Sequence, residues 1–383
     1  MSYRADPRFL QELRKQGAAK IDSCFNCGNC TAVCPLSADK ENFPRRMIRY
    51  AQLGMRDRLT GSKELWMCYY CGECTATCPR QADPGEFMAA ARRYAIARYD
   101  RFGLAGLLYA SGTFTVSFLA LLAVALGLFI YTFHGPMARE SLRLFAFIPA
   151  EVIHTIGVAA GVIIMLVGIS GMIRMMKQIA ETSWPGGARL NWLPAFRETM
   201  KEVFGQQRYR RDCEAYRGSP PWWIQNWFIH ASMLWGFMGL FLATALDYLL
   251  ILLGVKPTGT WVPVWYPTRL LGTLAGVLLV YGVTVAIVKR MRKTDEAATY
   301  STPSDWAFLI LLWLGGMSGF ALEAAIYLPQ PYGLSYWILL VHLVIVLELL
   351  VLLPFTKFVH VLYRTMALYV HALKPVSENE GAG

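Results

Sequence analysis

Six stretches of the chain stay apolar for about the length of a membrane helix, and the polar residues fall between them. Residues 104–133 run for thirty positions without a charge. Further apolar runs cover 152–173, 223–245, 270–288, 306–328 and 332–355. Asp247 sits near the end of the third, Glu323 interrupts the fifth and Glu348 lies inside the sixth. About 20 apolar residues cross a bilayer, so the pattern predicts six transmembrane helices. Residues 1–103 are polar and mixed in charge, and they lack the apolar region of a cleaved signal peptide. Within them, FPRRMIRYAQLG places proline early, apolar residues at helical spacing and glycine at the end. Asp83-Pro84 caps a second helical run, EFMAAARRYAIARYD. The predicted fold is all-α, with a helical soluble segment (1–103), a six-helix membrane segment (104–375) and a short tail (376–383).

Composition agrees with this division. Of 383 residues, 55% are hydrophobic and only 16% charged, below the usual soluble share of about 25%. Disorder is excluded, because it needs low hydrophobicity and high charge. Nine cysteines in a chain of this size do not make a disulfide scaffold. The net charge of +11 is spread between the apolar runs, which fits membrane topology and not a nucleic-acid patch. With the N-terminus in the cytoplasm, thirty-three Lys/Arg fall inside and four outside (Arg139, Arg143, Lys256 and Arg269). This positive-inside bias puts both termini on the cytoplasmic side of the inner membrane. Trp222, Trp223 and Trp227 begin the third run, and Trp261, Trp265 and Tyr266 precede the fourth, where interfacial aromatics belong.

Two motifs carry chemistry, CFNCGNCTAVCP and CYYCGECTATCP, both spaced C-x2-C-x2-C-x3-C-P. Thiolates are soft ligands, and this spacing is that of two-cluster ferredoxins, where the fourth cysteine serves the other cluster. The expectation is two [4Fe-4S] clusters. Cys24, Cys27, Cys30 and Cys78 hold one; Cys68, Cys71, Cys74 and Cys34 hold the other. Zinc would need only four ligands, commonly as two separated pairs, and a cytoplasmic location disfavours disulfides. Forty-four residues separate Cys24 from Cys68, so an α-helical ferredoxin fits better than the small β type. Cys213 is left over and reads as a plain thiol.

Six histidines remain: His134, His154, His230, His342, His360 and His371. Ionisable residues inside membranes are usually functional. His342 and His360 are 18 residues apart. Both are placed on the sixth helix, where they share a face at an axial separation of about 27 Å, close to the hydrocarbon thickness of about 30 Å. The topology places His154 at the depth of His342, and His230 at the depth of His360. The expectation is two bis-histidine haems b, an outer one (His154, His342) and an inner one (His230, His360). His134 also lies near the outer face, and His371 reads as interfacial. No C-x-x-C-H occurs, so covalent c-type haem is not expected. Glu151, Asp247 and Glu323 gather near the outer haem as candidate proton-exchanging groups for a quinone, against a plain reading as solvated helix ends. Glu348 lies deeper and is harder to read as solvated.

These residues carry a resemblance. The paired cysteine motifs resemble the iron–sulfur C subunit of heterodisulfide reductase. The membrane half, with HASMLWGFMGLFLAT, SGFALEA and HLVIVLELLVLLPFTKFVH, is similar to the cytochrome b subunit of the same enzyme and, more distantly, to the cytochrome b of respiratory nitrate reductase. Both halves fused at this length resemble the C subunit of the quinone-interacting membrane-bound oxidoreductase (Qmo) complexes. In the nitrate reductase cytochrome two ligands come from one early helix, whereas the third run here carries His230 alone, so His154 rests on topology. The CCG motifs of heterodisulfide-cleaving subunits are absent, and no disulfide reduction is expected. The resemblance implies two haems b and two [4Fe-4S] clusters. It also implies flavin-containing, heterodisulfide reductase A-like partner subunits, and electron exchange between menaquinone and adenylylsulfate (APS) reductase. The chain has no G-x-G-x-x-G motif, so a flavin would belong to a partner. Two other readings stand beside it: a heterodisulfide-reductase-like module serving a different partner, such as a sulfite-reductase-linked complex, and a transporter or anchor carrying an iron–sulfur domain.

Overall fold

The computed structural model describes residues 5–39, 42–138, 140–184, 190–214, 220–294, 301–327 and 332–375. Arg139 and the tail 376–383, both used in the sequence reading, lie outside the described residues. The architecture is all-α; among the described residues the only pairing of extended backbone is an isolated bridge between Leu190 and Pro375.

The two cysteine motifs share one backbone design. Asn26 and Tyr70 both take φ near +60° (61° and 59°), and Gly28 and Gly72 follow at 92° and 91°. Each glycine opens a single helical turn, Asn29–Ala32 and Glu73–Ala76. The left-handed conformation costs little at glycine and Asn but is uncommon for tyrosine. The Tyr70 hydroxyl is fixed by donating to Glu86 Oε2 at 2.8 Å. Between the motifs runs α1 (Arg45–Gln52), which buries Met47, Ile48 and Ala51. After them comes α2 (Pro84–Tyr99), where Asp83 Oδ1 accepts from the Glu86 amide at 3.2 Å. Proline and cap sit where the sequence predicts.

The membrane helices follow as α3 (Gly112–Tyr131), α4 (Ala150–Ser183), α6 (Asn226–Leu252), α7 (Pro267–Arg292), α8 (Pro303–Tyr327) and α9 (Tyr332–Leu352), with α5 (Trp192–Gly205) between α4 and α6. All six expected runs are helices long and apolar enough to cross a membrane. Their outward side chains, such as Leu121, Leu166, Phe241 and Leu274, are exposed in the isolated chain, as lipid-facing surfaces must be. Helices α6 and α7 approach most closely at Gly236, where a Cβ would meet the Leu279 amide at 2.5 Å and the Ala275 carbonyl at 2.8 Å. Small residues at such crossings let backbones touch.

Two expectations are corrected. The first run is not one helix: it breaks at Ser111 between a short helix Leu104–Ala110 and α3. The sixth run does not carry His342 and His360 on one helix. Pro354 lacks an amide hydrogen and its ring clashes with the preceding turn. The chain passes through two tight turns, Leu353–Phe355 and Lys357–Val359, before α10 (His360–Ala372) begins. Thr356 is extended, with φ −116° and ψ −178°. The shared face and the axial spacing therefore do not apply, and His360 starts a separate helix.

Helix α10 belongs to the cysteine segment as much as to the bundle. One apolar core includes Phe9, Met47, Trp66, Phe87 and Tyr99, and also Met175 and Ile179 of α4 and Tyr363, Ala367 and Val370 of α10. Tyr363 packs edge-on against Trp66 (ring centres 5.0 Å) and Tyr99 (5.3 Å). A buried ionic group sits beside it. Arg93 of α2 pairs with Glu86 and lies 3.7 Å from Asp305 of α8. Asp305 also meets Lys357 at 3.3 Å and Arg290 of α7 at 3.9 Å. One carboxylate thus collects cations from three other elements.

Candidate metal centre and histidine pair

The eight cysteines of the two motifs are in no disulfide: Cys30 is buried, Cys27 exposed and the other six half-buried. Burial pushes the Cys30 thiol up to about 11, reinforced by Cys24, Cys27 and Cys78 beside it. Burial pushes Cys34 up to about 12, reinforced by Cys68 and Cys71. Cys74 is raised by burial and then by Cys68, Cys71 and Cys34. Each motif therefore feels the other's fourth cysteine: Cys78 beside Cys30, and Cys34 beside Cys68, Cys71 and Cys74. Four partly buried thiols crowded together are costly as anions unless cationic metal holds them. Among the described residues no three His, Cys, Asp or Glu side chains converge on one metal ion. An iron–sulfur cube gives each thiolate its own iron, so it needs four sulfurs around a cluster and not around a point. Backbone amides already point at two sulfurs, Tyr70 N at Cys68 Sγ and Ala82 N at Cys78 Sγ, each 3.4 Å. The donor set fits [4Fe-4S] clusters. Cys213 lies in the helix Gln207–Glu214, but its side chain is outside the described residues.

Two of the candidate histidines face one another. The rings of His230 (α6) and His360 (α10) are 6.0 Å apart, centre to centre. Two imidazoles on opposite faces of one metal stand about 6 Å apart, given metal–nitrogen bonds of about 2.0 Å. In both rings Nδ1 is engaged, by Gln206 Oε1 at 3.1 Å and by the Lys357 carbonyl at 2.7 Å. That leaves Nε2 of each for a ligand, the arrangement metal-binding histidines use. The two residues would fit a pair of nitrogen ligands to one metal-containing group. Sequence reasoning missed Gln206, whose left-handed backbone (φ 48°) at the end of α5 aims its amide at His230; positive φ is invisible in a non-glycine residue.

The outer candidates are placed less compactly. His342 (α9) bonds through Nδ1 to Ser318 Oγ at 2.8 Å. His154 (α4) lies tilted against Tyr248, ring centres 4.4 Å apart. His134 stacks on Tyr131 at 4.2 Å, its Nδ1 against the Tyr131 carbonyl. Asp247 pairs with Lys256 at 2.6 Å and accepts from Thr268 at 2.8 Å. Glu323 meets Arg269 at 3.7 Å and Thr273 at 3.1 Å. Both acids therefore attach to the start of α7. Glu151 is exposed at the start of α4.

An aromatic path joins the two centres, and the sequence reading did not find it. Tyr69, next to Cys68, stacks on Tyr209 at 4.9 Å, and Tyr209 stands edge-on to His230 at 6.1 Å. Glu202 Oε1 accepts from the Tyr69 hydroxyl at 3.0 Å.

Comparison with known proteins follows the same division. Residues 20–82 match the 4Fe-4S dicluster domain, and residues 106–381 match Citrate utilization protein B. The C subunit of the H(2):CoB-CoM heterodisulfide,ferredoxin reductase of Methanothermobacter thermautotrophicus is 32% identical over 61 residues, 16% of this chain and 33% of that one. The iron-sulfur C subunit of the CoB–CoM heterodisulfide reductase of Methanopyrus kandleri is 34% identical over 69 residues, 16% of this chain and 36% of that one. The chain thus spans about a third of the length of these relatives. No solved structure matches it. The chain carries a 4Fe-4S dicluster segment of the kind found in those iron–sulfur subunits, and over most of its length it belongs to the Citrate utilization protein B family.

Proposed function

We propose that this chain is the membrane electron-transfer subunit of an oxidoreductase complex, with residues 1–103 in the cytoplasm and 104–375 in the inner membrane. Cys24, Cys27, Cys30 and Cys78 hold one [4Fe-4S] cluster, and Cys68, Cys71, Cys74 and Cys34 the other. His230 and His360 hold an inner haem b; His154 and His342 hold an outer one. Each of these groups supplies one-electron storage, which splits the two-electron chemistry of a quinol into single steps. The observation that carries the reading is the continuous run from Cys68 through Tyr69 and Tyr209 to the facing pair His230 and His360.

The chain's own residues do the rest. Gln206 and the Lys357 carbonyl orient the inner imidazoles. Glu151, Asp247 and Glu323 at the outer edge take the quinol protons, with Lys256 and Arg269 holding the last two in place. The exposed loop of the first motif, with Phe25 61% exposed beside Arg80, faces the cytoplasmic partners. Those partners are flavin-containing subunits similar to heterodisulfide reductase A, linking menaquinone to APS reductase in dissimilatory sulfur metabolism. The family match favours a second reading of the far end of the wire. The family is named for citrate utilization, so the same module serves a different soluble partner from APS reductase.

The test is haem and iron analysis of the detergent-purified chain with reduced-minus-oxidised spectra. Two haems b and about eight non-haem irons per chain, the number two cubes require, support the reading. One haem withdraws the His154–His342 pair. Iron without haem discards the quinone-to-cluster wire.

A further inference from the structure

The two cysteine motifs have the same backbone, but different side chains donate to it. In the first, the carbonyl of Cys24 accepts from the neutral amide of Gln52 at 2.8 Å. In the second, the equivalent carbonyl of Cys68 accepts from Arg92 Nη2 at 2.6 Å and from Arg364 Nη1 at 3.3 Å. The same Arg364 nitrogen reaches the Trp66 and Met67 carbonyls at 3.0 and 3.1 Å. Its guanidinium lies 4.3 Å over the Tyr69 ring. Arg92 also donates to the Leu65 carbonyl at 2.9 Å. Both guanidinium groups are partly buried. Cations do approach the first motif: Arg45 lies against Gly28 and Arg80 over Phe25. Both are exposed, where solvent and salt screen them.

Arg364 is one helical turn after His360 on α10, so it stands between the histidine pair and the second motif. We propose that Arg364, supported by Arg92, is a positioning residue that sets the potential of the second cluster above that of the first. The inference rests on the proposed ligand sets. Reducing the second cluster moves one electron onto it from the reduced one-electron centre at His230 and His360, which is oxidised in the same step. The added unit of negative charge meets a fixed positive charge in a drier environment than water, so no proton need accompany the electron. The first cluster, with a neutral amide at the equivalent carbonyl, has no such compensation. Electrons therefore settle on the second cluster and leave through the first when a partner is docked.

The experiment is a potentiometric titration of the full-length protein in detergent, followed by EPR for the clusters and absorbance for haem. Arg364→Gln and Arg364→Lys are compared with wild type, and Cys71→Ser identifies the second cluster's signal. In wild type the second cluster reduces at the higher potential. Arg364→Gln should make its reduction at least tenfold less favourable, about 59 mV for one electron, with the first cluster changed less than about twofold. Arg364→Lys keeps the charge but loses the fan of carbonyl bonds, and it should recover most of the shift. If Arg364→Gln loses iron, Arg92→Gln should shift the second cluster in the same direction. An unshifted second cluster with both signals present overturns the role of Arg364 alone. Equal shifts in both clusters, or a lysine variant no better than glutamine, also overturn it. A wild-type protein without two cluster signals overturns the ligand assignment beneath it.

Discussion

Removing the Asp305 carboxylate should be among the most destabilising changes available in this chain. Asp305 is 7% exposed, and three cationic groups approach it: Lys357 at 3.3 Å, Arg93 at 3.7 Å and Arg290 at 3.9 Å. At an effective dielectric constant of about 20, each attraction is worth about 4–5 kcal/mol before desolvation is charged against it. Lys357 is 41% exposed on its side chain, so its share is discounted. Desolvation offsets much of the remainder, but in Asp305→Ala buried Arg93 is left with Glu86 alone and half-buried Arg290 loses this carboxylate, while the desolvation of both stays. Losses for such broken pairs are about 3–5 kcal/mol, and that is the expected size. Asp305→Asn separates charge from cap. Thr302 donates to this side chain through N–H at 3.2 Å and through Oγ1 at 3.0 Å, and asparagine can still accept. If charge dominates, the Asn variant should be nearly as damaged as the Ala variant. The assay is the thermal unfolding midpoint in detergent by tryptophan fluorescence, with protease sensitivity of residues 1–103 as a local readout. An Ala variant within about 1 kcal/mol of wild type, below the range for broken buried pairs, or an Asn variant that restores full stability, would refute the argument.

Other outcomes follow from the same contacts. His360→Ala should abolish one haem spectrum and leave the iron content intact; an unchanged spectrum would sink the inner-pair assignment. Cys34→Ser and Cys78→Ser should each impair the cluster of the opposite motif, which EPR of the two variants resolves, and loss within the same motif would reverse the proposed ligand sets. Glu348 is 3% exposed, with Oε1 unpartnered among the described residues. Glu348→Leu should therefore raise the unfolding midpoint by the equivalent of about 1–3 kcal/mol, the cost of an unsatisfied buried group; a fall would reveal a partner in the loaded protein. Tyr363→Ala, which empties a site 2% exposed between Trp66 and Tyr99, should cost about 3–5 kcal/mol and make residues 1–103 more sensitive to protease. Unaltered digestion would argue against the shared core.

Much of this organisation is legible in the sequence because it depends on local patterns. Apolar run length marks the six helices, the repeated cysteine spacing marks the metal-binding segment, and Asp83-Pro84 marks the start of α2. The break before His360 was readable in principle, since Pro354 stands in the run. Prolines are tolerated inside membrane helices when neighbours satisfy the freed carbonyl, so periodicity alone does not decide. The features that couple the centres are long-range. Arg364 meets carbonyls nearly three hundred residues away, and Tyr209 meets Tyr69 from the separate helix Gln207–Glu214. No spacing rule reports such contacts. The expected boundary at residue 103 follows composition, whereas the apolar core crosses it to include α4 and α10.

That shared core has a consequence for biosynthesis. The cysteine segment leaves the ribosome before Val359, Tyr363, Ala367 and Val370, which complete its core. At roughly 5–20 residues per second, the intervening membrane helices occupy the ribosome for roughly 13–50 s. For that interval Trp66 and Tyr99 lack their aromatic neighbour, and the carbonyls around Cys68 lack Arg364. Synthesis of α10 closes this period, so the core of the cysteine segment is completed only after the intervening membrane helices have been made.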